Sequence, residues 1–158
     1  MKRVLVTVVS GMALLLGVTA PATAATTGAQ SFTIYFIDDA AGTVVAKGPV
    51  AGTGTETEIS NDGEGTGIDL AVFKNGSVKI LHTETDFSDS FNESTCVGRF
   101  RGEGDYTLIS GTGAYKGVSG SGTFSYKGTF FASRTADGCS EDGTSIVIVK
   151  ASGTTTLP

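Results

Sequence analysis

"ISGTGAYKGVSGSGTFSYKGTF", residues 109–130, holds six glycines, and their purpose decides the fold. A dinucleotide-binding turn needs G-x-G-x-x-G running from a strand into a helix, with an acidic residue about 20 positions on. Here Gly111 and Gly113 are followed by Gly117, one residue too late, and what comes next has no helical pattern. A P-loop needs glycine before its lysine, whereas Lys116 follows Tyr115 and Lys127 follows Tyr126. A phosphate cradle is excluded by spacing and by context.

Counting by twos gives the glycines a different meaning. From Gly98 the even positions are Gly98, Phe100, Gly102, Gly104, Tyr106 and Leu108, while Arg99, Arg101, Glu103, Asp105 and Thr107 form a solvated face. From Gly120 the even positions are Gly120, Gly122, Phe124, Tyr126, Gly128 and Phe130, against Ser, Thr and Lys on the odd ones. Glycine thus shares the inward face with aromatic rings. In a strand interior glycine weakens the sheet unless the strand must bend hard or leave room for something bulky. Closing a small barrel requires both, since inward side chains alternate small with large. A closed antiparallel barrel is the expected fold, with "SGTGAYKG" connecting two long neighbours and Tyr115 covering one barrel end.

The rest of the chain agrees. Runs rich in Val, Ile, Thr, Phe and Tyr recur between Gly, Asn and Asp clusters, an all-β pattern. Strands are expected near residues 31–37, 42–50, 65–73, 77–85, 96–102, 104–110, 120–132 and 145–151, with residues 25–30 and 153–158 as loose tails. "VFKNGSV" predicts a two-residue hairpin turn at Asn75-Gly76. That register sets Phe73 opposite Val78, Ala71 opposite Ile80 and Asp69 opposite His82, while leaving open which hairpin face is inside.

Lys2 and Arg3, the apolar run of residues 4–18 and Ala22-Thr23-Ala24 have the zones of a secretory signal, so residues 1–24 read as a signal peptide and 25–158 as one domain. No later stretch nears the roughly 18 apolar residues of a spanning helix, so a secreted protein without a membrane span is expected. After residue 24, nine Lys and Arg face sixteen Asp and Glu. Such an acidic surface disfavours a nucleic-acid partner. Cys96 and Cys139 are an even pair in a chain bound for an oxidising space, and one disulfide is the simplest reading. No metal and no cofactor is expected. His82 is the sole histidine, and "DGCSEDG" at 137–143 lacks calcium-loop spacing.

"FNESTCVGRFRGEGDYTLISGTGAYKGVSGSGTFSYKGTF", residues 91–130, followed by "RTADGC", resembles the secreted bacterial relatives of allene oxide cyclase and dirigent proteins. The GTG-A-Y-x-G connection and the Gly-aromatic strand after it carry the resemblance; upstream of Cys96 only the strand rhythm matches. The resemblance implies an eight-stranded antiparallel barrel that holds hydrophobic or phenolic ligands and guides a cyclisation or a coupling by shape. No functional side chain of those families maps onto a position here.

Candidate site residues follow from the inward face. Phe100, Tyr106, Phe124 and Tyr126 would line a cavity or fill it. Asp69 and His82 are the one constellation with the outline of an acid-base couple, with Glu84 adding to the negative field, provided that their face is the inner one. On the outer face they would be an ordinary charge pair. The expected function is binding of a small hydrophobic or aromatic molecule; the alternative is a non-catalytic exoprotein that contacts another protein or the cell envelope. Neither the ligand nor the oligomeric state can be read from the sequence.

Overall fold

The computed structural model describes residues 24–38 and 40–158, so all but the last residue of the expected signal peptide lies outside the described residues. The described residues form eight strands: β1 (Thr26–Ile37), β2 (Gly42–Lys47), β3 (Gly52–Asn61), β4 (Thr66–Phe73), β5 (Gly76–Asn92), β6 (Val97–Gly111), β7 (Ser119–Thr135) and β8 (Gly138–Leu157). Each pairs antiparallel with the next, and β8 returns to β1, which closes the barrel. A single turn of 3-10 helix, Gly113–Tyr115, interrupts the β6–β7 connection. No helix among the described residues is long and apolar enough to cross a membrane.

Glycine alternation builds the β6–β7 wall as expected. In register, Phe100 lies opposite Gly128, Gly102 opposite Tyr126, Gly104 opposite Phe124 and Tyr106 opposite Gly122. Rings lie over glycines: a Cβ on Gly128 would collide with the ring of Phe100, and one on Gly102 would sit 2.6 Å from Tyr126 Cζ. The glycines are therefore the floor on which the inward rings rest. Arg99, Arg101, Glu103 and Asp105 are exposed on the outer face.

Four sequence expectations need correction. Residues 52–61 are a strand, not a gap, and the two runs at 96–102 and 104–110 are one strand, β6, so the total stays at eight because the two differences cancel. The tails are not loose: residues 26–30 pair with 153–157, and Gln30 is buried. Its amide donates to Val50 O and its Oε1 accepts from Val50 N, both at 2.9 Å, which fixes the β2–β3 loop. The β4–β5 hairpin is also slipped by two residues, with Phe73 opposite Gly76, Ala71 opposite Val78 and Asp69 opposite Ile80. Lys74 and Asn75 form the turn, while Gly76 opens β5 at φ 153°. Gly76 is needed there because the 112–114 segment crosses it, and a Cβ at that position would collide with Thr112 O. A slip of two keeps every side chain on its face.

The barrel has two unlike ends. At the end of the 48–51 loop and the 112–118 connection, Val44, Val50, Phe73, Val78, Leu108, Tyr115 and Val118 pack into a filled core. Tyr115 covers that end as expected, buried edge-on against Phe73 with its hydroxyl donating to Ala51 O at 3.0 Å. At the other end, Cys96 and Cys139 are joined as a disulfide with a Cα–Cα distance of 5.4 Å. It ties the β5–β6 turn to the start of β8.

Candidate functional site

The end away from Tyr115 is hollow. A cavity of about 550 Å³ opens beside Asp38, Ala40, Ala41 and Gly65, within the range that encloses a small organic ligand. Its two sides differ in chemistry because opposite strands differ in sequence. Phe32, Ile34 and Phe36 of β1 and Val147, Val149 and Ala151 of β8 form an apolar wall. Facing them across the barrel, Glu56 and Glu58 of β3, Asp69 of β4 and His82 and Glu84 of β5 form a polar wall. Tyr106, Phe124 and Tyr126, from β6 and β7, also line it.

The polar wall is organised around His82. Its Nδ1–H donates to Asp69 Oδ2 at 2.8 Å, and its Nε2 is 3.7 Å from Glu58 Oε1. The ring also meets Phe124 edge-on, with centroids 6.0 Å apart. The hydrogen bond to Asp69 raises the His82 pKa above the ordinary histidine value; partial burial opposes this, and the charges of Asp69, Glu58 and Glu84 add to it. Half-buried His82 is thus held toward its protonated form. Glu84 accepts a hydrogen bond from the Tyr126 hydroxyl, and burial, then this bond and the carboxylate's charge, push the tyrosine well above its usual range.

Glu56 is the unusual member. It is 2% exposed, opposite Gly42 on one side and Ala71 on the other. Burial first, then the charge of Asp69, a hydrogen bond shared with Asp69 and the charge of Glu58, push its pKa up to about 9. At neutral pH it is a carboxylic acid and can donate a proton. Among the described residues its Oε2 has no hydrogen-bond partner, and neither has the hydroxyl of Tyr106, itself 3% exposed. Unpaired buried polar atoms cost stability unless something completes them. Both residues line the cavity, while a third such atom, Thr155 Oγ1, lies at the filled end.

Asp69 and His82 therefore touch, but diagonally: the residue opposite His82 is Gly67 and the one opposite Asp69 is Ile80. A side chain on Gly67 would collide with His82 and with Glu58 Oε1, so glycine there lets the cluster close. Both residues lie on the inner face, which settles the open question of the hairpin. Of the four aromatic candidates, Tyr106, Phe124 and Tyr126 line the cavity, whereas Phe100 does not border it and packs over Gly128 against the edge of Tyr126. Glu56 and Glu58 escaped sequence reasoning because β3 did. "GTGTETEIS" has no apolar alternation, and only its period of two hints that Glu56 shares a face with Gly54.

Glu58, Asp69 and His82 each offer a ligand atom, all within 4.8 Å of one another, and could hold a metal ion. Asp69 Oδ2 already accepts from His82 and Glu58 Oε1 from Asn61 Nδ2 at 2.7 Å, so an ion would share both carboxylates with these bonds. The fold and site define a closed eight-stranded antiparallel barrel, filled at one end and carrying an acidic, aromatic-lined cavity at the other. No family model, no curated protein and no solved structure matches the chain.

Proposed function

We propose that this protein binds a small hydrophobic or aromatic molecule in the open end of its barrel. The observation that carries the reading is the pairing of an apolar wall with two buried polar atoms, Glu56 Oε2 and Tyr106 OH, that lack partners among the described residues. The apolar wall supplies affinity by area, and the two orphaned groups fix orientation. The Tyr106 hydroxyl beside such a ligand could donate to a carbonyl or an epoxide, and Glu56 Oε2, with the acid proton turned toward Asp69, could accept from a phenol. Guidance of a cyclisation or coupling, as the resemblance to allene oxide cyclase and dirigent relatives implies, needs little more than this positioning. Export is part of the proposal; it rests on the pattern of residues 1–24 and is compatible with the disulfide.

The test is uptake of a fluorescent apolar probe. Saturable binding is expected in the wild type, with loss in Ala151→Phe, since Ala151 lies in register between Phe32 and Phe124 and a ring there would enter the cavity. Phe124→Trp serves as a second filling variant, and circular dichroism with thermal melting checks that both remain folded. No uptake by the wild type, or unchanged uptake in both folded variants, refutes the reading.

One observation favours the second reading, a non-catalytic exoprotein that contacts another protein or the cell envelope. Tyr35 lies opposite Ile148, and Ile37 opposite Ile146, forming a contiguous outward apolar patch on β1 and β8 with exposures from 39% to 61%.

A further inference from the structure

We propose that the cavity selects an apolar amine in its protonated form, with the ammonium seated against the polar wall and the hydrocarbon or ring against β1 and β8. The inference rests on the binding reading above and adds a ligand class to it. The charge inventory is its first support. Glu58, Asp69 and Glu84 face the cavity and Asp38 stands at its rim, and His82 is the sole cationic residue among the described residues that line it. His82 shares its one positive charge between Asp69 and Glu58, and no Lys or Arg among the described lining residues balances the remaining carboxylates. A ligand carboxylate would enter a field of its own sign. An ammonium would meet the opposite one, in a cavity whose apolar wall weakens solvent screening.

The orphaned groups are the second support, independent of the charges. Glu56 Oε2 and Tyr106 OH can both accept a hydrogen bond, and an ammonium brings three donors and no acceptor. The rings of Phe124 and Tyr126, stacked with centroids 6.4 Å apart, add faces on which a cation is favoured.

A consequence distinguishes this class from a neutral ligand. A cation beside Glu56 favours its ionised form, so amine binding should release a proton. The titratable groups that line the cavity together with Glu56 are Glu58 on its own strand, Asp69 of β4, His82 and Glu84 of β5, Tyr106 of β6, Tyr126 of β7 and Asp38 beside β1. Those that carry negative charge already disfavour ionisation of Glu56, which leaves the proton to be released only when positive charge arrives.

The experiment is titration calorimetry on the disulfide-bonded chain at neutral pH with three matched probes: 1-naphthylmethylamine, 1-naphthalenemethanol and 1-naphthoate. The amine is expected to bind at least about tenfold more tightly than the alcohol, with the carboxylate weakest. Its binding heat should vary with the ionisation enthalpy of the buffer in the wild type and lose that variation in Glu56→Gln. A Glu58→Gln/Glu84→Gln variant should lose the preference for the amine over the alcohol. Equal binding of amine and alcohol, or tighter binding of the carboxylate, overturns this inference and leaves the binding reading intact. Failure of all three probes overturns both.

Discussion

Replacing Glu56 with Gln is expected to stabilise the barrel, by an amount that grows with pH. The native carboxyl releases its proton near pH 9, whereas in an unfolded chain it does so near its ordinary value of 4.5. Between these limits the folded state binds a proton that the unfolded state has lost, so the wild-type protein loses stability as pH rises. Its stability from this group is complete below about pH 4.5 and declines through the window up to about 9. At pH 7 the deficit spans 2.5 pH units at about 1.36 kcal/mol each, on the order of 3 kcal/mol, and it approaches about 6 kcal/mol above pH 9. Glutamine keeps the shape and a donor toward Asp69 but has nothing to ionise. The assay is urea unfolding of both proteins, disulfide intact, at a series of pH values from 4 to 9. Their difference should be near zero at the acid end and widen steadily in favour of the Glu56→Gln variant. A difference that stays constant with pH would mean that Glu56 ionises as if in water, and the buried-acid account of the polar wall would fail.

Two further outcomes test other parts of the structure. His82 should titrate above the ordinary histidine range by NMR and move downward in Asp69→Asn. Its pairing contributes stability that is complete below about 6.5, the ordinary value, and is lost as pH rises through the raised one; superimposable titrations in the two proteins would remove the couple. Cys96→Ser/Cys139→Ser opens a loop spanning 43 residues, for which chain entropy gives a loss of about 4 kcal/mol in thermal or urea unfolding. An unchanged midpoint would show that the turn is already pinned without the bridge.

What the sequence revealed and what it hid follow from one cause. Facing is legible where the two sides of a strand differ in chemistry, as at residues 98–108 and 120–130, where glycine and aromatic alternate with charge and hydroxyl. It disappears where both sides are polar. Strand β3 reads as Thr and Glu, and its one fully buried side chain, Glu56, is of a type almost never found inside without a partner. The tails were hidden for the same reason: 26–30 and 153–157 are small and polar, and they are held by backbone pairing that leaves no mark on composition. The Asn75-Gly76 signal failed differently. Its glycine was needed, but for close passage of the 112–114 segment, a tertiary demand that no local pattern encodes.

The residues hardest to read are those that form the site, and this has a physical basis. A strand that buries Glu56 and crowds Glu58 and Asp69 around His82 breaks the rule that inward means apolar, and each break costs stability. The filled end, where Val44, Val50 and Val78 are fully buried, can offset that cost without contributing to the cavity. Segregation along the barrel axis therefore lets one end carry a cluster of ionisable side chains while the other keeps the sheet closed. Mutations at the two ends should accordingly separate: truncations around Tyr115 act on folding, while changes at Glu58 and Glu84 act on what the cavity accepts.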